Sequence, residues 1–427
     1  MNLHAFRHAS PKCRPLPALH AAGPQRRPHW LNADRLRLYP ITAFGCYTLF
    51  IAIFLIRLSE QKGLSGMNPF VVDFLPFWSA AVLALHGHAV DAYNVHALSV
   101  IEIGTVPYLG AVNGILPWLY PPSTLLLIVP LALLPYKAAA VVWLGGAYVL
   151  FVKTIRAIVP DRQAILPVLF FPGALFVISV GQNGLLTAAL AGGGLVWLRR
   201  RPVAAGICLG LLCMKPQLVV LFPLALLCAR SWRALAAFVL TAGVTLALAV
   251  LAFGTDTLTA FLHNTGIATY SIESAHATLA RVPSVFALAT LVHAPVVLAY
   301  AAQGASALIA AAAVCYAWSR ECSYALRAAT LICASLLVSP YLYDYDLAWF
   351  GVLIAWYCRH ALVAGWARGE REWLIVLWIA PLGGMLIIAC GPFQFLPLIS
   401  LTTLGMLVRR IALERRAPPV FERYADE

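Results

Sequence analysis

The chain has 427 residues, 62% of them hydrophobic and 11% charged, with a formal net charge of +13. A mean hydropathy of +0.83 excludes an ordinary soluble domain, because one packed core cannot hide that much hydrocarbon. The positive charge does not point to nucleic acid, since the basic residues collect at the ends of apolar runs, where they set orientation in a bilayer.

Residues 1–37 carry seven Lys/Arg against one acid, Asp34, and no apolar run resembling a signal peptide. They read as a disordered basic cytoplasmic tail, and 411–427 as a second cytoplasmic tail. Between them, 38–410 reads as one membrane unit. It is helical, because period-two alternation is absent and lipid offers backbone groups no partner outside the helix. A first span over 38–57 runs from inside to outside. Residues 58–118 are too interrupted by Pro, Gly and charge to cross, and predict short interfacial helices on the outer face. Further apolar runs fall near 119–135, 138–158, 163–178, 182–198, 202–214, 217–229, 233–253, 294–317, 324–340, 344–359, 373–389 and 393–409. The fold class that follows is an all-α polytopic membrane protein of about 12–13 transmembrane helices.

Basic clusters at Arg199–Arg200–Arg201, Arg230 with Arg233, Arg320 with Arg327, and Arg359 with Arg368 and Arg371 belong on the inside. They place "GQNG" (181–184), "MKPQ" (214–217), a 254–292 loop and "YLYDYD" (341–346) on the outside. The stretch 119–180 conflicts with this, since three crossings there leave GQNG inside. One segment must be re-entrant, broken or wrongly divided, and Pro121, Pro122, Pro130, Pro135, Pro167 and Pro172 permit any of these.

The outward stretches hold the candidate chemistry. In "DFLPFW", Asp73 stands among Phe74, Phe77 and Trp78. A carboxylate partly desolvated by rings is a stronger base, although a helix start with Pro76 in its first turn explains the acid equally well. His86, His88 and His96 match no metal-ligand spacing, so no metal is expected. Gln182 and Asn183 open a helix whose N–H groups and dipole suit a phosphate. Lys215, the sole cation between Arg201 and Arg230, reads as a phosphate counter-ion or as a lysine snorkelling to the interface.

Asp344 and Asp346 alternate with Tyr341, Tyr343 and Tyr345, more polar groups than a helix cap needs. Such clusters bind sugar hydroxyls and faces, while a headgroup-level aromatic belt accounts for the rings alone. The 254–292 loop contributes His263, Asn264, Tyr270, Glu273 and His276, with Arg281 as its one cation and a second phosphate candidate. The ten cysteines are scattered without a CxxC pair and read as packing residues.

In their order, "DFLPFWSAAVLALHGHAVDAY", "YPPSTLLLIVPLALLP", "GQNGLLTAALAGGG", "RPVAAGICLGLLCMKPQLVVLFPLALL" and "SPYLYDYDL" resemble the polyprenyl-phosphate-sugar-dependent mannosyltransferases of glycosyltransferase family 87. The resemblance covers most of 39–409. It implies a GT-C helical bundle with its active site on the outer face, a polyprenyl-phosphate-linked hexose donor, mannose in the family, and inversion at the anomeric carbon.

An aspartate in the first outer loop is the general base of such enzymes, and Asp73 matches it. The leaving phosphate needs positive charge rather than a metal or other cofactor. Lys215, Arg281, Gln182 and Asn183 are the donor-phosphate candidates. Asp344, Asp346, Tyr343, Trp78, Tyr120 and His263 are the candidates for sugar or acceptor. The implied partners are the donor, a lipid or glycan acceptor and membrane lipids. A flippase for a lipid-linked sugar is the competing reading. It needs a polar route to the inner face, whereas the polar groups cluster on one side.

Overall fold

A computed structural model describes residues 29–61, 71–107, 109, 116–274, 279–390 and 394–415. Most of the basic tail, residues 1–28, and the end of the chain from 416 lie outside the described residues, as do the side chains of Tyr270, Glu273 and His276. Every regular element described is helical.

Among the described residues, six helices or helix runs are long and apolar enough to cross a membrane: Tyr136–Ile158, Arg162–Val180, Trp232–Phe253, Val296–Trp318, Asp344–Ala364 and Leu396–Glu414. Ala33–Gln61 and Glu370–Cys390 are also long. Seven shorter apolar helices run 10–17 residues, and at 1.5 Å per residue none spans the roughly 30 Å of hydrocarbon in a straight line. The expected run of a dozen equivalent crossings therefore divides into long and short helices.

The conflict over 119–180 has a local cause. Pro121 and Pro122 precede a helix of only six residues, Ser123–Ile128, and Pro130 turns it into the 3-10 stretch Val129–Leu133. This segment packs beside the helix Leu75–Leu85. Leu125, Ile128 and Leu131 join a second apolar core with Phe74, Phe77, Trp118 and Trp143, apart from the main core of the long helices. It packs with the first loop, and its short helical pieces do not span the hydrocarbon in a straight line. Arg162–Val180 is broken as well: its helix Ile165–Leu169 stops at Phe170, and Pro172 starts Pro172–Val180.

The first loop also differs from the surface-lying helices expected of it. Leu75–Leu85 buries Leu75, Pro76, Phe77, Ser79, Ala80, Ala81 and Ala84, faces too many for an interfacial helix. Aromatic rings account for this. Phe77 meets Trp118 edge-on at 5.3 Å and lies 4.8 Å from Tyr120 and 5.7 Å from Trp143, so the loop carries a packed core of its own.

Candidate functional site

Two glycines bring the polar stretches together. Gly181 has φ +94°, and a Cβ there would lie 2.9 Å from the Phe74 nitrogen and the Val71 carbonyl oxygen. Only glycine satisfies both the conformation and the space. Against it sits the turn that carries Asp73. Val71 is left-handed at φ 64°, a rare conformation for a β-branched residue. It is held there because its N–H donates to the Ser179 carbonyl (3.0 Å) and its carbonyl accepts from the Tyr136 hydroxyl (2.7 Å). The second glycine, Gly184, leaves the space that the Tyr345 carbonyl fills, and a side chain there would collide with it. GQNG is thus a clamp: one glycine seats the Asp73 turn, the other seats the YDYD turn.

The charged groups meet between these contacts. Arg281 donates from Nε to Asp344 Oδ2 (3.0 Å) and from Nη2 to Asp344 Oδ1 (3.3 Å). The Asp344 N–H returns a bond to the Arg281 carbonyl (2.9 Å). Nη2 of the same arginine lies 3.7 Å from Asp73 Oδ2, an ion pair without a full hydrogen bond. Asp344 is closed off, whereas Asp73 and Arg281 keep 24% and 31% of their side chains exposed, and Nη2, already bonded to Asp344, is the atom nearest Asp73. Gln394 donates to the Ala280 carbonyl. Gln303 donates to the carbonyls of Leu337 and Val338 while accepting from the Phe286 N–H. These two amides brace the chain on either side of Arg281 and the approach to Tyr343.

Lys215 is the N-terminal neighbour of Pro216, between Leu212–Met214 and Pro216–Val219. It is 2% exposed. Its ammonium donates to Asp346 Oδ1 (2.6 Å) and lies 4.5 Å from the centre of the Tyr345 ring, which in turn stacks on Tyr343 at 5.3 Å. Asp346 also accepts from the Tyr343 N–H. With Lys215 and Asp346 only 2% and 0% exposed, this pair is costly to break on one side.

Burial pushes the Asp73 carboxyl above the usual range, and Arg281 beside it pulls it back. The exposed quarter of the side chain tempers the shift. The Asp344 carboxylate raises Arg281 further, so the guanidinium is charged at every working pH. With both cations and all three carboxylates ionised, the cluster carries one surplus negative charge.

Tyr120 donates to Gln182 Oε1 (3.2 Å). Asn183 is fully buried beside the Tyr120 hydroxyl, and neither of its amide atoms completes a well-formed hydrogen bond among the described residues. An unmade bond at a buried amide costs about 1–3 kcal/mol.

Of the residues singled out from sequence, Asp73, Gln182, Asn183, Lys215, Arg281, Tyr343, Asp344, Asp346 and Tyr120 converge here. Trp78 does not join the charged cluster: its indole donates to the Leu134 carbonyl (3.0 Å) and its ring meets Tyr136. His263 is exposed, and no hydrogen bond or ion pair links it to the cluster among the described residues. Its neighbour Asn264 is the buried one, donating to the Tyr93 carbonyl. Tyr345 was visible only as one of three alternating tyrosines, and its place under Lys215 had no sequence signal. His86 and His96 are exposed, and His88 faces Asp91 at 3.4 Å on the surface. Among the described residues no three metal-binding side chains gather.

A family model, glycosyltransferase family 87, matches residues 118–340, a little over half of the chain. Tyr120, Gln182, Asn183, Lys215 and Arg281 fall inside the match, while Asp73 and the YDYD turn lie outside it. No curated protein and no solved structure matches the chain.

Proposed function

The chain belongs to glycosyltransferase family 87, and on that premise we propose that it transfers a hexose, mannose by family resemblance, from a polyprenyl-phosphate carrier to a lipid or glycan hydroxyl. The acceptor oxygen attacks the anomeric carbon while Asp73 takes its proton. The bond from that carbon to the phosphate oxygen breaks, and polyprenyl phosphate leaves with inversion of configuration. General-base help of this kind is worth roughly 10²–10⁴ in rate.

The observation that carries this reading is the Asp73–Arg281 contact at 3.7 Å. A base and a cation, each partly open, face one another, with Asp344 gripping the cation from behind. Arg281 meets the departing phosphate through its outward donors. In doing so it withdraws charge from Asp73 and leaves that carboxylate more basic once donor is bound. Lys215 fixes the YDYD turn and adds positive potential. Asn183 and Gln182 offer amides to phosphate or sugar oxygens, and Tyr343 offers a ring face.

The same reading accounts for the short helices. Gly184–Trp197 begins at the clamp, Pro202–Met214 ends at Lys215, and Pro216–Cys228 starts beside it. At about 20 Å each they leave a recess of about 10 Å below one membrane surface. The basic clusters at their other ends support an outward-facing recess, in a GT-C architecture on the cytoplasmic membrane.

The test is purified protein in liposomes with polyprenyl-phosphate mannose and a membrane-lipid extract, with the products analysed by mass spectrometry and NMR. A new glycosidic bond of inverted configuration supports the proposal. Passage of labelled donor across the bilayer with no new bond supports a flippase instead.

A further inference from the structure

A cavity lined by none of the Asp73 cluster residues lies elsewhere in the molecule. Its volume is about 450 Å³, and its wall is almost wholly apolar, built between the start of Ala33–Gln61 and the helices Tyr136–Ile158, Trp349–Ala364 and Glu370–Cys390. Phe151, Phe171 and Gly351 close its inner end. Gly351 is required there, since a Cβ would come within 2.6 Å of the Phe151 ring. Along the last of these helices the lining runs from Arg371 to Ile379, about 12 Å at helical rise, most of the 15 Å or so that one leaflet provides.

Shape decides what fits. At about 450 Å³ over that depth, the cavity admits an elongated apolar guest. An apolar space of this kind does not hold water. An extended hydrocarbon chain of about ten methylenes, at ordinary carbon–carbon bond lengths, matches the depth.

Charge decides which chain. Arg35 and Arg371 stand at the mouth with Asp161. Asp161 caps the Gln163 N–H, and the two arginines outweigh its negative charge by one positive charge. Arg35 donates one bond to the Trp30 carbonyl, and Arg371 lies over the Trp366 ring. Neither arginine has a carboxylate partner among the described residues, so two guanidinium groups with unused donors ring an oily slot.

We propose that this cavity binds one acyl tail of an anionic phospholipid from the cytoplasmic leaflet, with the headgroup phosphate between Arg35 and Arg371. Bilayer hydrocarbon is as apolar as the cavity, so the tail alone gives no preference. Selectivity comes from the two arginines, each worth about fivefold at an anionic membrane surface. The site is separate from the Asp73 cluster and does not depend on the reaction proposed above.

Full-length protein in phosphatidylcholine vesicles, irradiated with a phosphatidylglycerol carrying a diazirine in its tail and mapped by peptide mass spectrometry, tests it. Adducts are expected on 151–171 and 351–379, competed by phosphatidylglycerol and not by phosphatidylcholine. Ala43→Trp and, from another wall, Ala164→Phe should each cut labelling at least fivefold. Arg35→Gln and Arg371→Gln should each reduce the anionic preference about fivefold. Equal competition by phosphatidylcholine, or labelling unchanged in both filled variants, overturns the proposal. So does stronger competition by polyprenyl phosphate than by phosphatidylglycerol, which would make the cavity a carrier site.

Discussion

Asp344 and Asp346 lie two residues apart on one 3-10 turn, and each holds a cation, yet the two pairs are built for different ends. Lys215 and Asp346 are 3% and 1% exposed at the side chain, with the Tyr345 ring closing over the ammonium. Arg281 is gripped by a buried Asp344, still keeps 31% of its side chain exposed and lies 3.7 Å from Asp73. A lysine spends its single point charge on one carboxylate, whereas an arginine is held by one edge and offers the other. From sequence, both cations were equal candidates for the donor phosphate. The geometry separates them into a closed pair and a partly exposed one that also contacts the base.

The largest effect should come on the open side. Asp73→Asn keeps the shape and removes the proton acceptor, so initial transfer rates should fall by roughly 10²–10⁴ while polyprenyl-phosphate binding stays within about twofold of wild type. On the closed side, Lys215→Met strands a buried carboxylate and should cost about 3–5 kcal/mol in thermal unfolding, whereas the double variant Lys215→Met/Asp346→Leu should recover most of that loss. A double variant as unstable as the single one would show that the pair is more than a closed structural contact.

A smaller and more diagnostic effect concerns pH. Asp73 must be ionised to accept a proton, burial raises its pKa, and Arg281 lowers it. Arg281→Gln leaves burial unopposed, so the acid limb of the kcat/KM profile should move to higher pH by about one unit or more. A limb that moves to lower pH, or not at all, would separate Arg281 from the base. The smallest effect belongs to His263→Ala, which should leave transfer rates within about twofold, because that side chain is exposed and no bond ties it to the charged cluster among the described residues. A larger loss would extend the site into the 256–274 helix.

Hydropathy and basic clusters made the helical class and most segment ends legible, and the polar stretches stood out because charge is expensive in an apolar chain. Sequence did not reveal which stretches cross. The proline-interrupted 119–135 run has a span's composition, but Pro122 and Pro130 cut its helix to six residues. Nor could it say how GQNG works. Helix-terminus logic assigned its amides to phosphate, whereas its glycines act first by admitting the Val71–Phe74 backbone and the Tyr345 carbonyl. Those are contacts between residues more than 100 positions apart, and no local pattern encodes them. Pairing was invisible for the same reason: Asp344 and Asp346 look alike in YDYD, and only the fold gives one to Arg281 and the other to Lys215.

The most direct test of this division is the affinity for polyprenyl phosphate without its sugar, measured in nanodiscs for Arg281→Gln and for Lys215→Met/Asp346→Leu. Loss of a charge-assisted contact at the open cation should weaken binding by about tenfold or more, while the closed pair's replacement should change it less than about twofold. Binding that survives loss of Arg281 and collapses with loss of the Lys215 pair would contradict the account.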